Sequence, residues 1–427
     1  MDPDTLLTNW GFKKNPFRVY VAEKEKDTAE FFLEPPYFKD VLGNAQTPQS
    51  AIVFGQRGDG KSTLCKMVEH HLDASTDAHA PLLIKYMEFP KWLETDIREL
   101  TIEEHIERII RLALESFIKR AEKDLTLLQN LSKPDQALLQ WYILVFFPSG
   151  EFRQVERRLT SLIDRLPKKY RVKKIGGWGV RRVINYLRKR RVEIERVSDD
   201  KSPIVQIIKS VLFLIAPSIP EGNAVRDHTD IELFKRLRDL MTAAGFPSIV
   251  ILIDKTDENE VCSNRPDLAA QLIKPLVTSV NFLEIEGVAT KFFLPSVTKE
   301  ILGTTIRTDR LTTRDISWSD DGLRHLLRRR LRAFSNGSID SLERFVDQRV
   351  WPNFEDRILY YSAQSPRNMI RLLDSVTSVL CALEESPEVI SSSALDVGIH
   401  NFLALKNTEY DAQEYQKRLA NSTQGKN

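Results

Sequence analysis

The sequence predicts an α/β fold in which a parallel sheet is flanked by helices and followed by a mostly helical region. Two short apolar runs, Ala51–Phe54 and Ile249–Ile253, have the composition of strands that are buried on both faces. The first run leads into a glycine-rich loop and then into a segment with helical periodicity from Lys61 to Leu72. A strand, a loop and a helix in this order form the repeating unit of a parallel sheet.

The remaining elements are predicted from the same patterns. Residues 81–86 and 291–294 are strand candidates, and residues 311–318 form a shorter extended stretch. Residues 101–123 carry an apolar stripe at helical spacing, and Thr101 and Glu104 have the spacing of a capping box. We predict further helices at 135–147, 151–166, 181–192, 229–244, 268–282, 319–334, 338–346, 353–362, 367–383 and 392–403.

The order of these elements divides the chain into six predicted segments. They are an aromatic-rich N-terminal segment that packs on the core (1–45), the first part of the core (46–123), a basic, mostly helical insertion (124–228), the second part of the core (229–305), a C-terminal helical lid (306–406) and a polar tail (407–427). The N-terminal aromatic residues are too dense to remain in solvent, whereas the polar tail is expected to fray.

Composition excludes several classes of protein. The chain has 427 residues, of which 42% are hydrophobic and 29% charged, as in ordinary globular proteins. The net charge of +2 argues against a polyanion binder that uses its whole surface. The three cysteines, Cys65, Cys262 and Cys381, form no CxxC pair, so neither a zinc site nor a disulfide framework is predicted. Because the sequence shows neither a signal-peptide pattern nor a membrane-spanning run, we expect a cytoplasmic protein.

The glycine-rich loop (residues 55–62) carries the strongest chemical signal. Its sequence, GQRGDGKS, matches the phosphate-binding pattern G-x-x-x-x-G-K-[ST] between a strand and a helix. In such a loop, backbone N–H groups and the helix N-terminus hold the phosphates, and the lysine reaches the β- and γ-phosphate oxygens. The predicted ATP-binding residues are Gly55, Gln56, Arg57, Gly58, Asp59, Gly60, Lys61, Ser62 and Thr63.

A second acidic site follows the apolar run that ends at Ile253. Asp254 stands where a carboxylate can hold Mg²⁺ together with the hydroxyl of Ser62, so both are predicted metal ligands. Either Asp257 or Glu258 would orient the water that attacks the γ-phosphate, and the sequence leaves both open.

These residues resemble P-loop ATPases of the AAA+ class, of the origin-recognition-like and STAND/KAP-like branches, which include bacterial defence ATPases. The glycine-rich loop is similar to a Walker A motif, Ile249–Asp254 to a Walker B motif, and residues 291–298 to a sensor-1 strand. Residues 365–368 (SPRN) look like the start of a sensor-2 helix, and residues 10–17 look like the lead-in of some of these ATPases. In the usual AAA+ pattern glutamate follows the Walker B aspartate, whereas Lys255 stands there in this chain.

The resemblance implies a P-loop NTPase core whose ATP lies between the core and a helical lid, and often between subunits. It implies that Arg367 contacts the γ-phosphate and that Ser296 or Thr298 positions water. It also implies an arginine finger for a neighbouring subunit, for which Arg307 and Arg310 are the candidates. A role in phage defence or mobile elements follows from the resemblance alone.

Residues 151–191 form a basic segment with 15 lysines and arginines, three acids and a net charge of +12. Tyr170, Trp178 and Tyr186 are interleaved with these cations, which is typical of contacts to a nucleic-acid backbone. A protein partner and a solvated helix pair remain open. The candidate contact residues are Arg157, Arg158, Lys168, Lys169, Arg171, Lys173, Lys174, Arg181, Arg182, Arg188, Lys189, Arg190 and Arg191.

Together these features predict an ATP-hydrolysing AAA+-like switch or motor that uses ATP and Mg²⁺. Its nucleotide state would control oligomer assembly and contact with nucleic acid or an effector protein. Two alternatives remain: a nucleotide-dependent signalling scaffold with little hydrolysis, which Lys255 favours, and a DNA-loading or remodelling ATPase, which the basic segment favours. A small-molecule kinase is disfavoured, because no site for an acceptor substrate is evident.

Overall fold

A computed structural model describes residues 1–22, 24–73, 80–90, 92–147, 149–171, 230–409 and 411–424. The predicted helix at 181–192 and the part of the basic segment after residue 171 lie outside these ranges. Helices and strands are numbered along the described residues.

Five strands form one parallel sheet, which confirms the predicted α/β class. They are β1 (Ala51–Gly55), β2 (Leu82–Tyr86), β3 (Ile249–Ile253), β4 (Val288–Pro295) and β5 (Thr312–Asp315). The strand order is β2-β3-β4-β1-β5, and every neighbouring pair is parallel. Because β4 lies between β1 and β3, the glycine-rich loop, the end of β4 and Asp254 share the carboxyl edge of the sheet. In open α/β sheets this edge is where ligands bind.

Strands β1 and β3 are continuous apolar runs because both faces of the sheet are covered at its centre. All five residues of β1 and of β3 are buried. Successive side chains point to opposite faces. Ala51 and Val53 therefore belong to one hydrophobic cluster, and Ile52 and Phe54 belong to another.

Helices occupy both faces of the sheet and continue beyond it. As far as residue 302 they are α1 (Pro3–Asn9), α2 (Thr28–Phe31), α3 (Phe38–Leu42), α4 (Lys61–Asp73), α5 (Glu94–Arg98), α6 (Ile102–Lys123), α7 (Thr126–Asn130), α8 (Lys133–Phe146), α9 (Ser149–Arg165), α10 (Asp230–Ala244), α11 (Pro266–Thr278), α12 (Val280–Leu283) and α13 (Ser296–Leu302). The later ones are α14 (Asp320–Phe334), α15 (Trp351–Ser362), α16 (Pro366–Leu383), α17 (Ser392–Asn407) and α18 (Ala412–Gln424). None of the helices in the described ranges combines the length and the apolarity that a membrane crossing requires.

Three sequence-based expectations about these elements are wrong. Residues 338–346 contain only a short 3₁₀ turn at Glu343–Phe345, because the preceding Asn336 and Gly337 adopt positive φ angles and turn the chain. The helix predicted at 268–282 is interrupted at Ser279. Residues 412–424 do not fray but form α18, whose Tyr415 is buried.

The two faces of the sheet carry different partners. Helices α3 and α4 cover one face, where Phe38, Leu64 and Val68 are buried against β1 and β3. The opposite face packs on α6, α8, α9 and α10 in the largest hydrophobic cluster of the described residues. Helix α6 begins at the predicted capping box, in which the Glu104 carboxylate accepts the Thr101 N–H at 3.0 Å.

Helices α14–α18 form a separate layer, which we call the C-terminal helical layer (residues 319–424). Its first helix, α14, is capped by Ser319, whose hydroxyl accepts the Gly322 N–H at 3.1 Å. Leucines of α14 pack with apolar residues of α15, α16 and α17 in a second large cluster. This layer includes most of residues 306–406, the segment predicted as a lid, whose action as a lid stays a prediction.

The N-terminal aromatic residues pack mainly on this layer, although the sequence analysis placed them on the core. The Trp10 and Phe345 rings stack with their centroids 4.6 Å apart. The buried guanidinium of Arg330 on α14 pairs with Glu25 at 2.6 Å and donates to the Val19 carbonyl at 2.8 Å. Further along, Phe38 packs against the sheet, so the segment joins the two layers.

Lys291, in the middle of β4, is a fully buried cation. Its ammonium donates to the backbone carbonyl of Gln49. Burial lowers the pKa of Lys291 to about 8. A buried ammonium loses the solvation that it has in the unfolded chain, so at neutral pH this residue destabilises the fold.

Lys291→Met removes this charge and keeps a long side chain. We expect the free energy of unfolding at pH 7 to rise by up to about 3 kcal/mol, because the pKa in the folded chain, about 8, lies below the ordinary value of 10.5. Between these two values the unfolded chain binds more protons, so wild-type stability rises with pH and the advantage of the variant shrinks. Urea denaturation at about pH 7 and about pH 9.5 measures both effects. Lys85→Met, at an exposed position of β2, is the control. A stability difference that is the same at both pH values would show that the buried charge is not its cause.

Candidate functional site

The glycine-rich loop joins β1 to α4 and turns tightly between them. Gly58 and Gly60 have φ angles of 95° and 101°, a region that favours glycine. Helix α4 begins at Lys61, so its N-terminal N–H groups face into the loop. The Lys61 side chain folds back over the loop, and its ammonium donates to the carbonyls of Gly55 at 2.8 Å and Gln56 at 3.0 Å.

Ser62 and Asp254 meet at the carboxyl edge of the sheet, as the sequence predicted. The Ser62 hydroxyl hydrogen-bonds to the Asp254 carboxylate, which is 3% exposed. Burial raises the pKa of Asp254, and the bond from Ser62 opposes that rise. A hydroxyl and a carboxylate oxygen are hard donors, so this pair fits Mg²⁺.

Two buried polar atoms near these residues in the chain have no hydrogen-bond partner among the described residues. They are Gln56 Oε1 in the glycine-rich loop and the hydroxyl of Thr256, which follows Asp254 by two positions. Buried polar groups are almost always satisfied. Such atoms therefore fit a site that takes a polar ligand together with its hydration shell.

The two candidate acids, Asp257 and Glu258, lie in different surroundings. Burial lowers the pKa of Lys61, and of the acids that oppose this effect Asp257 acts more strongly than Asp59 and Asp254. The Asp257 carboxylate therefore favours the charged form of Lys61. The Glu258 side chain is 62% exposed and lies 3.9 Å from Lys255 Nζ.

The end of β4 brings Ser296 and Thr298 to the same edge. Ser296 is the first residue of α13, directly after β4. The buried Thr298 hydroxyl donates to the Pro295 carbonyl at 2.6 Å. The Thr298 hydroxyl therefore already donates its proton to a nearby backbone carbonyl. Of the two hydroxyls, that of Ser296 is the better placed to bind water.

Arg367 enters the site from the C-terminal helical layer. The Arg367 N–H, in the first turn of α16, donates to the Gly58 carbonyl at 3.3 Å. Burial lowers the pKa of the Arg367 guanidinium, and the neighbouring cations Arg57 and Arg371 lower it further. Arg367 and the exposed Arg57 place two cations at the glycine-rich loop, which suits an anionic ligand, whereas Arg371 pairs with Glu409 at 2.6 Å.

Arg307 and Arg310 lie at the opposite edge of the sheet. Arg310 precedes β5 and pairs with Glu284, which precedes β4, at 2.8 Å. Arg307 pairs with Asp309 at 2.8 Å. Both side chains are therefore at the amino ends of the strands, away from the glycine-rich loop of their own chain. Their role as arginine fingers for another subunit stays a prediction.

The described part of the basic segment is partly engaged within the chain. Arg158 pairs with Glu122 at 2.8 Å, and Arg171 Nε donates to the Leu166 carbonyl at 2.6 Å. Arg157, Lys168 and Lys169 are exposed. The other candidates lie outside the described residues: Lys173, Lys174, Arg181, Arg182, Arg188, Lys189, Arg190 and Arg191.

Two contacts to the glycine-rich loop were missed by the sequence analysis. The indole N–H of Trp318 donates to the Asp59 carbonyl at 2.9 Å, and Arg418 on α18 pairs with the Asp59 carboxylate at 2.9 Å. Both residues are far from the loop in sequence, so no local motif marks them. The one available signal was the helical spacing of Tyr415 and Leu419 in an otherwise polar tail.

Comparison with known families agrees with the site. The family model described as ORC-CDC6-like matches residues 15–87, a range that includes β1, the glycine-rich loop, α4 and β2. No curated protein is similar enough to the chain to count as a relative. At a coarse level the match supports an AAA+ ATPase of the ORC/CDC6 type.

Gly58→Ala tests the contact between the glycine-rich loop and α16. A Cβ atom at Gly58 would lie 2.7 Å from Ser365 Oγ and 3.0 Å from Arg367 Cβ. Gly337 also has a positive φ angle, but a Cβ there meets nothing within 4 Å, so Gly337→Ala measures backbone strain alone. We expect Gly58→Ala to lower the free energy of unfolding by about 1–3 kcal/mol more than Gly337→Ala, because overpacking adds to strain. Urea denaturation measures both, and equal losses would mean that α16 does not press on the loop.

Proposed function

We propose that the chain is an AAA+-type ATPase whose nucleotide state is transmitted from the glycine-rich loop to the C-terminal helical layer. One observation carries this proposal: Lys61, the Ser62–Asp254 pair and Arg367 converge on the carboxyl edge of one parallel sheet. The glycine-rich loop alone supports nucleotide binding. The added carboxylates and the second cation support hydrolysis and sensing of the γ-phosphate.

Each residue has a chemical task in this proposal. The loop N–H groups and the Lys61 ammonium bind the β- and γ-phosphates, for which Lys61 exchanges its bonds to the Gly55 and Gln56 carbonyls for bonds to phosphate oxygens. Ser62 and Asp254 hold Mg²⁺, which supplies neutralising charge for the phosphate oxygens. Arg367 stabilises the charge that develops on the γ-phosphate. Ser296 orients water from the end of β4.

Asp257 is the acid that we assign to the attacking water. Its carboxylate favours the charged form of Lys61, whereas the Glu258 side chain is exposed and lies beside Lys255. A general base must lie within reach of the proton that it takes, so position decides between the two acids.

The outcome of this chemistry is a change in the C-terminal helical layer. Because α16 rests on Gly58 and carries Arg367, loss of the γ-phosphate alters a contact between the two layers. Nucleotide hydrolysis commonly changes the order or the position of a lid element. In an oligomer the same change would reach the neighbouring subunit, which fits the location of Arg307 and Arg310.

Lys61→Ala tests ATP binding. We expect the Kd for ATP to rise about 10–100-fold, because charge-assisted hydrogen bonds contribute roughly 1.5–3 kcal/mol. Isothermal titration with Mg²⁺-ATP measures it. Lys85→Met, which removes an exposed lysine of β2, is the control. Lys66→Ala is unsuitable because Lys66, one turn further along α4, binds the N-terminal segment. Equal affinity of wild type and Lys61→Ala would remove the basis of the proposal.

Measurements of phosphate release distinguish the two candidate acids and test the scaffold alternative. Asp257→Asn should lower the rate of phosphate release roughly 100-fold while ATP still binds, because general-base catalysis contributes factors of this size. Glu258→Gln should stay within about twofold of wild type, as expected for an exposed position. If wild type binds ATP and releases no phosphate, the nucleotide-dependent scaffold is favoured. The absence of hydrolysis would then be explained by Lys255, which stands after Asp254 where the usual pattern has glutamate.

A second candidate function, a DNA-loading or remodelling ATPase, is favoured by the basic segment. Its exposed cations Arg157, Lys168 and Lys169 suit phosphates, and Lys169 lies 4.6 Å from the centre of the Tyr170 ring. We expect duplex DNA to bind with an affinity that falls steeply with salt and to stimulate phosphate release. Fluorescence anisotropy at about 50 and 200 mM salt tests this, and a charge-reversal variant of the three cations is the control. Absence of DNA binding at low salt would favour a protein partner. The role in phage defence stays a prediction.

A further inference from the structure

Arg418 on α18 reaches the glycine-rich loop from the far end of the described chain. Its Nη1 lies 2.9 Å from Asp59 Oδ1, and its Nη2 donates to the Gln364 carbonyl at 3.0 Å. The Asp59 side chain is 2% exposed and that of Arg418 is 17% exposed. An ion pair so far from water is little screened, and each partner depends strongly on the other.

Asp59 in turn holds the loop from inside. Its other carboxylate oxygen, Oδ2, accepts the backbone N–H of Gln56 at 2.8 Å. This bond joins the first and the last part of the loop, so it maintains the curvature that directs the remaining N–H groups inward. A continuous chain of contacts therefore runs from Arg418 through Asp59 to the loop backbone.

Asp59 also places a negative charge where phosphates are to bind. The Asp59 carboxylate accepts the Gln56 N–H at 2.8 Å, and the Lys61 ammonium donates to the Gln56 carbonyl at 3.0 Å, so both charged groups lie at the same loop residue. An uncompensated carboxylate at this place would repel a polyphosphate. Arg418 compensates that charge and leaves the hydrogen bond to Gln56 in place.

Contacts other than those of Arg418 hold α18 on the rest of the C-terminal helical layer. The Tyr415 hydroxyl donates to the Tyr361 carbonyl at 2.9 Å, and the Tyr415 ring packs on Phe402. Just before α18, the buried Lys406 pairs with Asp411 at 2.8 Å. Replacement of Arg418 should therefore leave the helix docked.

We propose that Arg418 is a positioning residue for ATP binding, which acts through Asp59. It holds the glycine-rich loop in its phosphate-binding shape and cancels the charge of Asp59. This inference rests on the proposed function, since it assigns a role in the same nucleotide site. It also makes ATP affinity depend on a helix that lies far from the nucleotide-binding motif in sequence.

A double-mutant cycle tests the role of Arg418 in the full chain. Arg418→Ala should raise the Kd for ATP about tenfold, within the range of coupling between neighbouring charges. Asp59→Asn in the Arg418→Ala background should restore the affinity to within about twofold, because asparagine keeps an oxygen for the Gln56 N–H and removes the charge. Arg418→Lys should give an intermediate Kd. Lys417→Ala, which removes an exposed cation from the same helix, should bind as wild type does.

Thermal unfolding without nucleotide separates positioning from general stability. If Arg418→Ala lowers the melting temperature and Asp59→Asn fails to restore ATP affinity, the role of Arg418 is merely structural and the proposal is wrong. The proposal is also wrong if Arg418→Ala binds ATP as tightly as wild type does. If wild type binds no ATP, or if Lys61→Ala binds it equally well, the proposed function itself fails, which is a distinguishable result.

Discussion

The pairing of β4 with β1 on one side and with β3 on the other is the constraint on which the rest of the structure depends. In the parallel register, Gly55 lies beside Pro295 and Ile253 beside Phe292, so the strands end at a common edge. This edge unites a lysine, a buried carboxylate and a hydroxyl from three distant parts of the chain. A slip of one residue would exchange the side chains of a strand between the two buried clusters, where their sizes and shapes do not fit, so close packing on both faces enforces the register.

A second level of organisation links the sheet to the C-terminal helical layer. The glycine-rich loop is touched from that layer at its tip, where Gly58 and Asp59 meet α16 and α18. The N-terminal segment makes a parallel link, because Lys66 on α4 donates to the Ala22 carbonyl and Arg330 on α14 donates to the Val19 carbonyl. Helix α4 and the C-terminal helical layer are therefore connected twice, through the glycine-rich loop and through the N-terminal segment. A displacement of one would move the other.

The features that could be predicted from the sequence are those encoded by neighbouring residues. The glycine-rich loop, β1 and β3 follow from local spacing and from apolar runs, and the Thr101–Glu104 cap follows from a four-residue pattern. The role of Arg418 depends on contacts across more than 300 positions, and no periodicity reveals such a partner. The helix expected at 338–346 does not form. Ile339 and Leu342 are spaced as on one face of a helix, but both are buried from a turn. The buried Lys291 was also unforeseen, since a charged residue is rarely placed in a core.

The seating of the N-terminal aromatic residues has a consequence for biosynthesis. Trp10, Phe12 and Phe17 are buried against residues that are translated more than 300 positions later. A nascent chain therefore carries an uncovered aromatic segment until the helices that follow β5 have been made. Exposed apolar surface of this kind promotes aggregation and is what chaperones recognise. The N-terminal aromatic residues therefore reach their packing partners only after those helices exist.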